Sequence, residues 1–199
     1  MTKITAKQDD LSALAQELIC GDDERAEQAA LKIGLYGCEA LAYMTPVLAD
    51  PDPDRRWWAA RALGQMPCEE ARQKLIALLR DPDDDVRACA AFALGEAHVE
   101  SAVLPLGQVL ADSSVFVSAM AADALARIGT ASVPLLIERL RTGTALERAR
   151  AAKALLTILD SRSIPALIAA LDDESPVVEH YAAEALTRLG VGTVLVKPA

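Results

Sequence analysis

Paired alanines recur along this chain in a fixed beat. The segments EQAALKIG, WWAARALG, ACAAFALG, SAMAADALARIG, RARAAKALL and EHYAAEALTRLG share one small-apolar core. The second alanine of each pair falls at Ala30, Ala60, Ala91, Ala122, Ala152 and Ala183, in steps of 30, 31, 31, 30 and 31 residues. A constant period of this size over nearly the whole chain predicts a solenoid. Ahead of each alanine pair stands a turn-like stretch, DPDPD, DPDDD, DSSV, RTGTA or DDESP, whose Asp and Pro suit the cap and first turn of a following helix. Ahead of that lies another run with helical apolar spacing, such as EEARQKLIALLR or ASVPLLIERLR. Two helices of about three turns and two short loops fill such a period, so six repeats predict about twelve helices. The units fall near residues 10–37, 38–67, 68–98, 99–129, 130–160 and 161–190, as a single all-α domain between a flexible N-terminus (1–9) and a tail (191–199).

The same spacing sorts the faces of the second helix. In the third unit Val86, Ala90, Ala93, Leu94 and Ala97 share an arc of about 100° and are expected to face the partner helix. Position 97 recurs as Tyr36, Met66, Ile128, Ile158 and Leu189, apolar throughout. Ala91 and its equivalents lie on a flank where a neighbouring repeat must come close, and Lys32, at the position of Ala93, reads as the polar lapse of a terminal repeat. Opposite the core run two columns: Glu27, Trp57, Ala88, Ala119, Ala149, His180, and Leu31, Arg61, Phe92, Asp123, Lys153, Glu184. Adjacent helical residues stand 100° apart, so Trp57 and Trp58 cannot share one core. Trp58 aligns with the flank, where it packs, and Trp57 points outward beside Leu31, Phe92 and Arg61, an apolar strip of about 20 Å at helix-packing spacing.

Composition narrows the possibilities. Apolar residues make up 52% but aromatic ones only 4%, which favours close-packed helices over a sheet. With 29 acidic against 20 basic side chains the formal charge is −9, a poor fit to nucleic acid or an anionic membrane. No apolar run approaches membrane-spanning length, and MTKITAKQDD is polar. The four cysteines form no C-x-x-C pair and read as free thiols, so a cytoplasmic location is expected.

Catalytic chemistry is not legible. His98 and His180 form no H-x-x-x-H or H-E-x-x-H motif. Cys38 and Cys68 occupy equivalent loops of successive units, which at about 10 Å stacking lie too far apart for a disulfide, and further ligands for a shared metal are not evident. The aspartate runs lack the spacing of a calcium loop and precede helices, whose dipoles they complement. Pro46 falls inside a predicted helix and is expected to kink it.

The period also fits tetratricopeptide and ankyrin units, but W-x-x-L-G-x-x-Y and T-P-L-H-x-A are both missing. DPDDDVRACAAFALGEA at 81–97 and the following AVLPLGQVLAD instead resemble the short HEAT-like repeat of the phycobilisome-lyase type. That resemblance implies an all-α solenoid with a right-handed superhelix and second helices lining its concave groove. It also implies a ladder between an Asp at the loop start and an Arg in the second helix, here Asp50 with Arg56 and Asp81 with Arg87. The ladder is interrupted where Asp112 faces Ser118, and the fifth unit offers Arg141 and Arg148.

The expected groove residues are Leu31, Trp57, Arg61, Phe92, Asp123, Lys153, His180 and Glu184. The function these features imply is a non-catalytic scaffold that holds another protein or peptide, with no metal and no cofactor. The resemblance supplies the alternative, a bilin lyase or phycobilisome-handling protein that holds a tetrapyrrole or its acceptor through Arg61, Trp57 and His180. Repair of alkylated DNA, another activity found on HEAT-like arrays, needs a basic concave face that a charge of −9 does not favour.

Overall fold

The computed structural model describes residues 2–191, with side chains from residue 8 onward; the expected tail lies outside the described residues from 192 on. Twelve α-helices follow one another among the described residues: α1 Thr2–Leu18, α2 Asp23–Leu35, α3 Leu41–Leu48, α4 Pro53–Leu63, α5 Glu69–Leu78, α6 Asp84–Glu96, α7 Val103–Val109, α8 Val115–Ile128, α9 Val133–Thr142, α10 Ala145–Ile158, α11 Ile164–Ala169 and α12 Pro176–Arg188. The helix α1 reaches through residues expected to be a flexible N-terminus. The first helices of several repeats are shorter than three turns, and 3-10 turns such as Gly37–Ala40 and Ala170–Asp172 extend them.

The helices gather into two compact units, Met1–Ala97 and His98–Ala199. In the first, α1 packs on α2, α3 on α4 and α5 on α6, while α2, α4 and α6 stack in succession. The second repeats the plan with α7 on α8, α9 on α10, α11 on α12, and α8, α10 and α12 in succession. The alanine beat is what lets second helices approach: Ala30, Ala60, Ala91 and Ala152 are wholly buried and Ala122 nearly so, whereas Ala183 is exposed. Two glycines serve the same approach. A Cβ at Gly34 would stand 2.4 Å from the Cβ of Gln65, and one at Gly64 2.9 Å from that of Ala93.

Each repeat contributes large buried side chains, among them Leu18, Ile33, Leu63, Leu94, Leu125, Leu155 and Leu167. Truncating one to Ala costs about 2–5 kcal/mol in a packed core. Val86, Ala90, Ala93 and Leu94 are buried as expected. Ala97 is not: α6 ends at Glu96, so Ala97 is the cap residue and turns outward. Lys32 is exposed.

The acidic turns cap helices as their composition predicts. Asp52, Asp83 and Ser114 accept backbone amides at the starts of α4, α6 and α8. At α10 the RTGTA turn forms a capping box, with Thr144 and Glu147 each accepting from the other's backbone. Pro46 lies inside the eight-residue α3, where it withholds an amide from the helix. The stretch Val115–Thr142 is long and apolar enough for a membrane span. It folds instead as α8 and α9, separated at Gly129 with φ 83°, and both pack against α10.

Candidate functional site

The ladder of arginines is staggered by one repeat relative to expectation. Arg56 does not pair with the Asp50 side chain. It donates to the backbone carbonyls of Asp50 (3.0 Å) and Pro51 (3.1 Å) and forks onto the carboxylate of Asp81 in the next repeat, at 2.9 and 2.8 Å. Arg87 likewise donates to the carbonyls of Asp81 and Pro82, not to the Asp81 side chain. In the second unit Arg148 donates to the Gly143 carbonyl and forks onto Asp173 at 2.7 and 3.0 Å. The geometric reason is reach. The guanidinium folds back onto the carbonyls of its own loop and meets the carboxylate of the following loop. Burial alone would raise the Asp81 carboxyl, but Arg56 and the Asp83 amide hold it below its ordinary value. Asp173 is likewise held low, chiefly by Arg148. Asp50 instead pairs with Arg55 at 3.1 Å.

In the first unit the expected groove residues face outward. Leu31 is 48% exposed and Phe92 38%, while Trp57 is half-buried. Arg61 is engaged by Glu27 of the preceding repeat, with Nε to Oε2 at 3.1 Å. The expected division of labour between the tryptophans is not seen. Both are half-buried, their rings meet edge to face at 4.8 Å, and both border the same cleft. Cys89, the flank residue of the next repeat, is buried and its thiol donates to the Trp57 carbonyl at 3.8 Å. Burial pushes that thiol up to about 12.

The cleft has a volume of about 670 Å³. Besides Trp57 and Trp58, its walls carry Asp23, Asp54 and Asp85 from the first turns of α2, α4 and α6, and Asp52 from the α4 cap. Arg55 is its one basic wall residue, and it is paired with Asp50 and Asp52. Four carboxylates and two indoles therefore line a space whose charge repels anions and suits a cation. The sequence pattern accounted for these aspartates as helix caps alone and did not bring them to the tryptophans.

In the second unit the charged groove residues pair with one another. Lys153 meets Asp123 at 3.2 Å, and His180 lies 3.8 Å from Glu184. A further row went unread. Phe116, Leu146 and Val177 stand six residues before Ala122, Ala152 and Ala183, at the position that Asp54 and Asp85 hold in the first unit. They are 54%, 39% and 51% exposed, at the starts of α8, α10 and α12. The signal was available as a column of matched residues one turn above the columns considered.

Cys38 and Cys68 also depart from expectation. Their sulfur atoms and a carboxylate oxygen of Glu70 lie within 4.8 Å of one another. Helix axes set the stacking distance, but both cysteines stand on loops that converge beyond the helix ends.

This arrangement of stacked helix pairs defines an all-α solenoid. The HEAT-repeat family profile matches residues 11–88, 73–156 and 133–197, and the chain belongs to that family. No curated protein sequence matches the chain. Among solved structures, YibA of Escherichia coli is similar at 23% identity and a TM-score of 0.60, over 88% of this chain and 69% of that one. A phycocyanin lyase complex of CpcE and CpcF from Nostoc sp. PCC7120 is similar at 23% identity and 0.52, over 89% and 76%. A designed armadillo repeat protein in complex with the peptide (KR)4 is similar at 21% identity and 0.51, over 90% and 99%. At these identities the likeness is one of fold.

Proposed function

We propose that this protein is a non-catalytic binding scaffold, and that its first unit captures a Lys- or Arg-bearing segment of a partner protein in the cleft of Trp57 and Trp58. The observation that carries the reading is the pairing of two half-buried indoles with four aspartates around about 670 Å³ of open space. A lysine or arginine stem lies against the rings while its cationic head meets carboxylates, a combination in which each contact strengthens with desolvation of the other. The designed armadillo relative in complex with a Lys/Arg repeat peptide is consistent with such recognition on this architecture. In the second unit, Phe116, Leu146 and Val177 suit apolar side chains of a partner.

Capture of a tetrapyrrole finds less support. Its propionates would meet an acidic cleft, and Arg61 is already held by Glu27. The test is a titration of intrinsic tryptophan fluorescence with a Lys/Arg-rich peptide and with a charge-reversed Glu/Asp control. Saturable quenching by the basic peptide alone is expected, with affinity reduced about tenfold or more by Trp57→Ala and by Asp54→Asn/Asp85→Asn. Equal response to both peptides, or unchanged affinity in both variants, overturns the reading.

A further inference from the structure

Beyond the cleft, the first unit brings two thiols and a carboxylate together where two successive repeats meet. Cys38 stands in the 3-10 turn Gly37–Ala40 that joins α2 to α3, a turn begun by Gly37 at φ 57°. Cys68 is the residue that caps α5, and its side chain makes no capping bond. Glu70 follows in the first turn of α5. Cys68 is buried, while Cys38 and Glu70 are exposed, so the group opens to solvent on one side. Cys38 Sγ lies 3.9 Å from Glu70 Oε2, and all three ligand atoms lie within 4.8 Å of one another.

The geometry points to a site for a thiophilic divalent cation, zinc foremost, ligated by Cys38, Cys68 and Glu70. With Zn–S near 2.3 Å and Zn–O near 2.0 Å, tetrahedral angles require donors separated by about 3.5–3.8 Å. The donor atoms, all within 4.8 Å of one another, stand at most about 1 Å beyond that range. Two sulfur donors select a soft or borderline ion over calcium or magnesium, whose sites are built of oxygen. Three protein ligands leave one tetrahedral position for water or for a donor from a partner. On binding, each thiol gives its proton to solvent as its sulfur bonds the metal. The bound ion ties the α2–α3 turn to the start of α5, a second link across the joint that Arg56 and Asp81 also hold.

The site stands independently of the tryptophan cleft, and neither reading needs the other. It is tested on the full chain, reduced and freed of metal, by titration with Co²⁺ followed by Zn²⁺. The expected result is a near-ultraviolet thiolate-to-cobalt charge-transfer band with tetrahedral visible bands, saturating at one equivalent and erased by zinc. Zinc should also raise the melting temperature. Cys38→Ser/Cys68→Ser removes the charge-transfer band and the thermal shift, and Glu70→Gln weakens zinc affinity about tenfold or more. Cys20→Ser, which changes an exposed thiol outside the group, leaves the bands in place. Far-ultraviolet circular dichroism verifies that each variant is folded. No charge-transfer band in the reduced wild type, or a band that survives in Cys38→Ser/Cys68→Ser, overturns the assignment.

Discussion

Replacing Arg56 by Met keeps the aliphatic stem and removes every polar contact the residue makes. Four hydrogen bonds go: two to the Asp81 carboxylate and one each to the carbonyls of Asp50 and Pro51. The Arg56 and Asp81 side chains are 11% and 6% exposed, so the carboxylate is left nearly buried without its counter-charge. Breaking a buried pair from one side costs about 3–5 kcal/mol. Asp81 retains the Asp83 amide as a donor, and the pair keeps some solvent, which places the expected loss near the lower end, at about 3 kcal/mol. For a chain of this length that corresponds to a fall of about 6–12 °C in Tm.

The pH dependence gives the sharper test of cause. Asp81 has a folded-state pKa below its ordinary value, so its pairing stabilises the protein fully above the ordinary carboxylate range and is lost as pH falls toward the depressed value. The gap between wild type and Arg56→Met, measured by urea unfolding, is therefore full at neutral pH and narrows below about pH 4. A loss under about 1 kcal/mol at neutral pH, or a gap that persists unchanged into acid, refutes the clamp.

Gly34→Ala forces a methyl against the Gln65 Cβ and its backbone carbonyl, and should cost about 1–3 kcal/mol in urea unfolding, whereas an exposed helical glycine would gain from the same change. Cys89, buried with its thiol pushed up to about 12, should resist iodoacetamide in the native protein at mild alkaline pH while exposed Cys20 reacts, and should be labelled in guanidinium; mass mapping of the peptides decides it. Phe116→Ser should leave stability within about 0.5 kcal/mol, because the ring is 54% exposed, yet lower the binding of an environment-sensitive apolar dye.

The repeat period, the buried alanine column and the acidic helix caps were legible in the sequence because each follows from local spacing. Val86, Ala90 and Leu94 needed only the 3.6-residue turn to be placed. Ala97 was misplaced because periodicity does not say where a helix stops. The partner of Arg56 was missed because the contact spans 25 residues and depends on the stagger between repeats. Cys38 and Cys68 were separated by a rule for helix axes that loops do not obey. The aspartates of the cleft had a sufficient local explanation as caps, which hid their second neighbourhood around the tryptophans.

The stagger of the arginine clamp bears on how such a chain can be cut and rejoined. A repeat that brings the arginine relies on its successor for the aspartate, so no single repeat is a complete cassette. At the position of Arg56 and Arg148 the fourth repeat has Ser118, and the residue 24 further on, where an aspartate would answer it, is Thr142. The two halves of the clamp are given up together, and no carboxylate is stranded. Duplicating or transplanting a repeat therefore preserves the joint only when the downstream loop travels with it. The natural unit of exchange runs from the start of one second helix through the acidic loop that precedes the next.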